Sequence, residues 1–313
     1  MEKILLILSK RLGDTIFYTP ALQKLHEHRP SLIIDAVALS AISAQAVANN
    51  PALRDVFLAS EMPLDKLYDQ YDRVLSMHDG DDIREYIGLH EVIIADRRPS
   101  GGWANYACRF LAEHFDYPAE PAGKYCLYPQ PDDANKVNAL LAEHGIKPGS
   151  PLMGLHMGNF RMMRYGQEFW KKLFRWRLSG KGSKSWPFDR FVDVVERLHR
   201  QYPDLKFVLT GAPSEKFLAR YFKHSKHVID LIGQTNVLEL AELMKHFKVF
   251  LTGDTGPLHV ACAMDTPLVA LFGITDPNST GPHPKAAHRI LIHQPSMEKI
   301  TVDEVCHAVE RLL

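Results

Sequence analysis

The chain has 313 residues, 37 basic and 37 acidic side chains, and therefore no formal net charge. Apolar residues make up 46% of it and charged ones 24%, the proportions of an ordinary globular protein. That composition excludes collagen-like, disulfide-stapled and wholly disordered chains. It also excludes a histone-like nucleic-acid binder, which needs a global excess of positive charge to neutralise phosphates.

At roughly 150 residues per domain, the length suggests two domains or one large one. The four cysteines (Cys108, Cys126, Cys262 and Cys306) lie far apart and form no Cys-x-x-Cys pair, which argues against a structural zinc site and suits a reducing cytosol. The amino-terminal apolar run, Ile4 to Leu8, is too short for a secretory signal. No stretch approaches the ~18 apolar residues of a spanning helix. A cytosolic protein is expected, one still able to rest on a membrane.

In chain order, Lys3–Leu8 is apolar throughout, as a parallel strand covered on both faces is. The turn Ser9–Asp14 follows, and then a helix from about Thr15 to His28. Further strands are predicted at Leu32–Ala38, Asp72–Leu75 and Glu91–Ala95, with helices near Ile42–Asn49 and Trp103–His114 between them. A polar helix ends near Gly145, and Lys147–Pro151 reads as an interdomain linker. The second half restarts with a strand, Leu152–His156. A helix over Pro187–Tyr202 is followed by strands near Lys206–Leu209, His227–Asp230 and Val249–Thr252, and Val302–Leu313 forms a last helix. Alternation of strand and helix indicates α/β sheets with right-handed crossovers. Ligands of such sheets bind at the carboxyl ends of the strands.

Four motifs fall at such ends. Gly13-Asp14-Thr15 follows the first strand; Asp14 is either a plain helix cap or a general base at the mouth of a cleft. Thr252 to His259 (TGDTGPLH) enters a helix from an apolar strand, and its Gly, Thr and backbone N–H groups make a ready anion site. There Asp254 orients the loop or accepts from a ligand hydroxyl, and His259 can donate to a phosphate oxygen. Leu271 to Pro277 (LFGITDP) reads as a strand and then a turn. Lys184-Ser185-Trp186-Pro187 places a lysine just before a helix, where it either neutralises a leaving phosphate or is an ordinary surface residue.

Together these segments resemble the ADP-heptose–lipopolysaccharide heptosyltransferases. The resemblance rests on Arg11-Leu12-Gly13-Asp14 with Thr19–Leu22, Gly154-Leu155-His156, Lys184–Pro187 with Phe191, Gly211–Glu215, Asp254–His259, Leu271–Pro277 and the tail Met297–Leu313. The stretch 55–130 carries no matching motif. The resemblance implies a GT-B architecture, an α/β fold of two Rossmann-like domains with parallel sheets facing across a cleft. The acceptor domain is expected over 1–148 and the nucleotide-sugar domain over 149–313, the final helix being free to pack back on the first. It implies inverting transfer of heptose from ADP-heptose to a lipopolysaccharide inner-core acceptor, with no essential metal and no cofactor. Asp14 would be the base, and Lys184 would stabilise the departing diphosphate. Asp254, Thr255, Gly256 and His259 would hold the donor's sugar and diphosphate, Glu215 its ribose, and Thr235 and Asn159 would complete the donor site. Lys10, Arg11, Arg97 and Arg98 are candidates for an anionic acceptor.

One feature departs from the family pattern. A long segment separates the first strand of the second half from Lys184, with eight Lys/Arg and one Glu between Arg161 and Lys184. At about 100° per residue, Met162, Tyr165, Phe169, Leu173 and Trp176 share one helical face, and basic residues the other. Such a helix either lies on an anionic membrane surface, with Phe169, Leu173 and Trp176 facing lipid, or packs on its own domain. This would place the protein peripherally at the inner face of the inner membrane. Lys181 is an alternative to Lys184 at the diphosphate. The Asp-x-Asp within His78–Asp82 reads as an acidic surface turn rather than a metal site. A transferase using another nucleotide sugar, a non-catalytic nucleotide-sugar binder and, most weakly, a nucleic-acid binder remain as alternatives.

Overall fold

The structure, a computed structural model, describes residues 1–76, 86, 91–95, 101–159, 162 and 184–313. The chain divides into two compact units, Met1–Tyr128 and Pro129–Leu313.

The first unit is built on a five-stranded parallel sheet of order β3-β2-β1-β4-β5. Its strands are β1 (Lys3–Leu8), β2 (Ile33–Ala38), β3 (Val56–Leu58), β4 (Arg73–Ser76) and β5 (Ile93–Ile94). Central β1 is buried from Ile4 to Leu8, as a strand covered on both faces must be. Each such side chain contributes about 1.5–3 kcal/mol of burial free energy. The helix predicted over Thr15–His28 is interrupted, giving α1 (Leu12–Ile16) and α2 (Thr19–His28). Pro20 lacks the N–H to continue a helix but suits the first turn of a new one, and Thr19 Oγ1 donates to the Ile16 carbonyl at 2.8 Å across the break. The unit also contains α3 (Ala41–Val47), α4 (Leu64–Tyr68) and α5 (Trp103–Phe115), the last packed against α2.

The second unit has a six-stranded parallel sheet of order β11-β10-β9-β6-β7-β8. The strands are β6 (Leu152–His156), β7 (Lys206–Thr210), β8 (Val228–Asp230), β9 (Phe247–Gly253), β10 (Leu268–Phe272) and β11 (Arg289–His293). The helices are α6 (Pro131–Glu143), α7 (Phe188–Gln201), α8 (Val237–Met244), α9 (Gly256–Ala263), α10 (Pro277–Thr280) and α11 (Val302–Glu310). The units divide at Tyr128/Pro129, ahead of the linker read over Lys147–Pro151, because α6 packs on α8. The terminal helix α11 packs on α7 and on β10 and β11 of its own unit. Trp186 anchors the entry to α7: it is fully buried, its Nε1 donates to the Ile300 carbonyl at 3.0 Å, and its ring meets Phe191 edge-on at 4.9 Å.

Candidate functional site

In the first unit the chain runs outward from β1 through β2 to β3, then crosses to β4 on the other side of β1. Strand order reverses there, and ligand crevices open outside the carboxyl ends of such strands. Ser9–Asp14 leaves β1 at this point. Asp14 lies in the first turn of α1, whose N-cap is Arg11, so the carboxylate is not the cap. It accepts instead from Ser9 Oγ at 3.2 Å, with Arg11 Nη1 at 3.9 Å, and its side chain stays 23% exposed. A partly wet carboxylate at this position can act as a base.

The turn itself is held by hydroxyl groups. Ser9 Oγ also accepts from the Arg11 N–H at 3.2 Å, and the Ser9 carbonyl accepts from Thr15 Oγ1 at 3.3 Å and Ser43 Oγ at 2.5 Å. Ser40 Oγ donates to the Lys10 carbonyl at 2.9 Å. Ser9 and Ser43 are buried, so each bond is sheltered from competing water. Tyr18 is buried alongside, and burial, then the negative charge of Asp14, raises its phenol well above its ordinary value. Lys10 Nζ sits 4.8 Å from the Tyr86 ring centroid, a cation–π contact. Arg97 and Arg98 lie outside the described residues.

The second sheet reverses in the same way, between β6 and β9. Beyond β6 come Met157-Gly158-Asn159, and beyond β9 comes the loop into α9. Lys184 Nζ donates to Asp254 Oδ2 at 3.2 Å, their side chains 44% and 10% exposed. Thr252 Oγ1 and Thr255 Oγ1 share a hydrogen bond of 2.9 Å. Thr255 is the extended N-cap of α9 and makes no side-chain cap bond. In the first turn of α9 Pro257 has no N–H and the Leu258 N–H donates to the Thr255 carbonyl at 3.2 Å, which leaves the Gly256 N–H as the donor that the helix start can offer a phosphate. His259 is buried in this helix; burial, with a further push from His283, lowers its pKa to about 4 against the pull of Asp254. It is thus a neutral imidazole at pH 7, leaving Lys184 to supply positive charge at this loop.

Glu215 is 2% exposed. Its Oε2 accepts from the Ala212 N–H at 2.8 Å, and a Cβ on Gly158 would lie 1.9 Å from its Oε1. Burial raises its pKa to about 7, while the N–H groups of Ala212 and Asn159 pull the other way. The carboxylate thus braces the turns after β6 and β7 against each other. Asn159 is also buried, its Nδ2 donating to Ser185 Oγ at 2.6 Å and its Oδ1 accepting from the Met162 N–H at 3.1 Å. Thr235 precedes Asn236, whose side chain caps α8 and whose N–H is capped in return by Glu239. His156 is buried at the end of β6 with Nδ1 3.2 Å from the Thr210 carbonyl; burial lowers its pKa to about 4, so it reads as structural.

In the second unit the switch-point loops therefore bring together Lys184, Asp254, Thr255, Gly256 and His259, with Asn159 and Glu215 beside them at the end of β6. The supporting hydroxyls Ser9, Ser40, Ser43 and Ser185 were not singled out from sequence. The available signal was that Ser9 directly follows a buried strand and Ser185 directly follows Lys184. Phe169, Leu173, Trp176, Lys181 and the Asp-x-Asp near Asp79 lie outside the described residues. Among the described residues, no group of three or more His, Cys, Asp or Glu is placed to hold a metal ion.

Residues 175–308 match the family described as glycosyltransferase family 9 (heptosyltransferase). The chain is 31% identical over 134 residues to lipopolysaccharide heptosyltransferase 3 of Escherichia coli K12, covering 36% of this chain and 38% of that protein. It thus spans little more than a third of the length of that relative. Among solved structures, the glycosyl transferase family 9 protein from Veillonella parvula superposes with a TM-score of 0.80 at 18% identity, covering 99% of this chain and 97% of that one. The E. coli ADP-heptose lps heptosyltransferase II superposes with a TM-score of 0.75 at 18% identity, covering 99% and 98%. These likenesses establish the GT-B-type α/β fold of two parallel sheets.

Proposed function

We propose, from the premise that residues 175–308 form a glycosyltransferase family 9 (heptosyltransferase) domain, that this chain is a glycosyltransferase moving a heptosyl group from a nucleotide-diphosphate sugar to a lipopolysaccharide core acceptor. The donor is ADP-heptose and the acceptor an inner-core sugar at the cytosolic face of the membrane. Among the described residues no helix is long and apolar enough to cross a membrane.

The observation that carries this reading is the Lys184–Asp254 contact beside the start of α9. A cation, a carboxylate and the Gly256 N–H at the helix start answer the three parts of a nucleotide-diphosphate sugar: charge, hydroxyls and phosphate oxygens. Asp254, Thr255, Gly256 and His259 bind the donor's sugar and diphosphate, Glu215 and Thr235 serve its nucleoside, and Asn159 serves the same pocket. Asp14 removes the proton of the acceptor hydroxyl as that oxygen attacks the anomeric carbon. The bond from that carbon to the diphosphate oxygen breaks, the configuration inverts, and Lys184 meets the charge that develops on the leaving nucleotide. Lys10 and Arg11, beside Asp14, attract an anionic acceptor, with Arg97 and Arg98 as further candidates. No step calls on a metal.

Asp14→Asn tests the assignment. It removes the base and keeps the shape, so ADP binding should persist while transfer falls by about 10²–10⁴. Wild-type transfer by Asp14→Asn would refute the base. ADP binding with no transfer by the wild type on any acceptor would favour a non-catalytic nucleotide-sugar binder.

A further inference from the structure

We infer that Asn159 acts on the donor indirectly, as a positioning residue whose side chain ties Met162 to Ser185 and thereby sets Lys184 at the diphosphate. The inference rests on the donor reading above and assigns Asn159 its role within it.

The geometry is specific. One end of the Asn159 amide donates to Ser185 Oγ at 2.6 Å, 26 residues further along the chain. The other end accepts from the Met162 N–H at 3.1 Å. Met162 is fully buried in the core of the second unit. Beyond Ser185, buried Trp186 is held by the Ile300 carbonyl and the Phe191 ring. On the β9 side, the Lys184 carbonyl lies 3.8 Å from where a Cβ of Gly253 would stand. The backbone of Lys184 is thus fixed from Ser185, Trp186 and Gly253, and its Nζ reaches Asp254 at 3.2 Å.

Lys184 directly precedes Ser185, the residue that the Asn159 amide holds. A lysine side chain has about 2 kcal/mol of rotamer entropy to lose, and fixing its backbone beforehand lowers the cost of ordering it on a phosphate. The bond to Ser185 is short at 2.6 Å and the bond from Met162 is buried, so each is costly to break singly.

The test uses the whole chain and ADP as probe. Hydrogen exchange on the free protein reads the clasp: Asn159→Ala should speed exchange at the Met162 N–H and across Ser185–Trp186, and Ser185→Ala, the milder change, across Ser185–Trp186. Unchanged exchange in both variants overturns the clasp. Calorimetry then reads its consequence. Each variant should weaken ADP by about tenfold, the double variant by no more than either single, and neither should weaken it further in a Lys184→Ala background. If Asn159→Ala still weakens ADP without Lys184 while Ser185→Ala does not, Asn159 touches the donor directly and the inference fails. Wild-type protein that does not bind ADP at all, with exchange responding as expected, would instead overturn the donor reading and with it the task given to Lys184.

Discussion

Lys184 Nζ and Asp254 Oδ2 meet at 3.2 Å at the mouth of the loop entering α9, Asp254 nearly buried and Lys184 half exposed. A pair this open adds little to stability, because solvent screens it and the lysine loses side-chain freedom. Its value lies in what replaces it: a diphosphate arriving at α9 offers Lys184 more negative charge than one carboxylate does. Lys184→Met should therefore change stability by no more than about 0.5 kcal/mol and lower kcat/KM by about 10²–10³. Denaturant unfolding and steady-state kinetics on the same preparation check both halves. With the leaving charge handled by Lys184, transfer should survive EDTA; loss of turnover in EDTA, restored by a divalent metal, would contradict this.

Ser9 Oγ donates to Asp14 Oδ2 at 3.2 Å. Ser9→Ala removes this positioning contact, and kcat should fall about tenfold with the donor KM unchanged. A rise in donor KM would mean that Ser9 serves the nucleotide instead.

Gly158 has no room for a side chain. A Cβ there would stand 1.9 Å from Glu215 Oε1, so the buried carboxylate would have to shift. Gly158→Ala should destabilise the protein by about 1–3 kcal/mol and weaken ADP binding as the turn after β6 shifts. Thermal unfolding with and without ADP measures both.

Glu215 makes stability depend on pH with a definite sign. Its folded pKa, about 7, lies above the usual 4.5 because burial disfavours the anion. Between those values the folded chain binds more protons than the unfolded one, so this group's contribution declines as pH rises from about 4.5 to about 7. The buried His156 and His259, held near 4 instead of 6.5, act oppositely and cost stability as pH falls from about 6.5 to about 4. Glu215→Gln isolates the first effect: relative to wild type, the variant should gain stability steadily between pH 4.5 and 7 and hold level above. A pH-independent difference in urea unfolding would show that Glu215 does not titrate in this range.

Much of the fold was legible because buried parallel strands leave an unmistakable trace. The predicted limits of β1 and β6 match the structure, since each is an apolar run covered on both faces. Short β3 and edge strand β11, whose residues alternate in exposure, carry no such trace and were not anticipated. The break at Thr19-Pro20 was visible in the proline, but the apolar periodicity running through it suggested one helix. Asp14, Lys184 and Asp254 were candidates from sequence because each stands where a strand or segment end meets a helix. The clasp by Asn159 could not: it depends on two backbone ends meeting after 26 residues, and no local pattern encodes that. Glu215 had been assigned to the ribose from the resemblance; its burial against Gly158 and Ala212 adds a bracing role that only packing reveals.

The most direct test is a donor screen with the purified chain. ADP-heptose and UDP-, GDP- and CMP-sugars are compared by thermal shift and by turnover on a heptose-deficient lipopolysaccharide core. The account predicts stabilisation by ADP and ADP-heptose, with turnover on ADP-heptose that disappears in Asp14→Asn. A clear preference for a uridine, guanosine or cytidine donor, or undiminished turnover by Asp14→Asn, would contradict it.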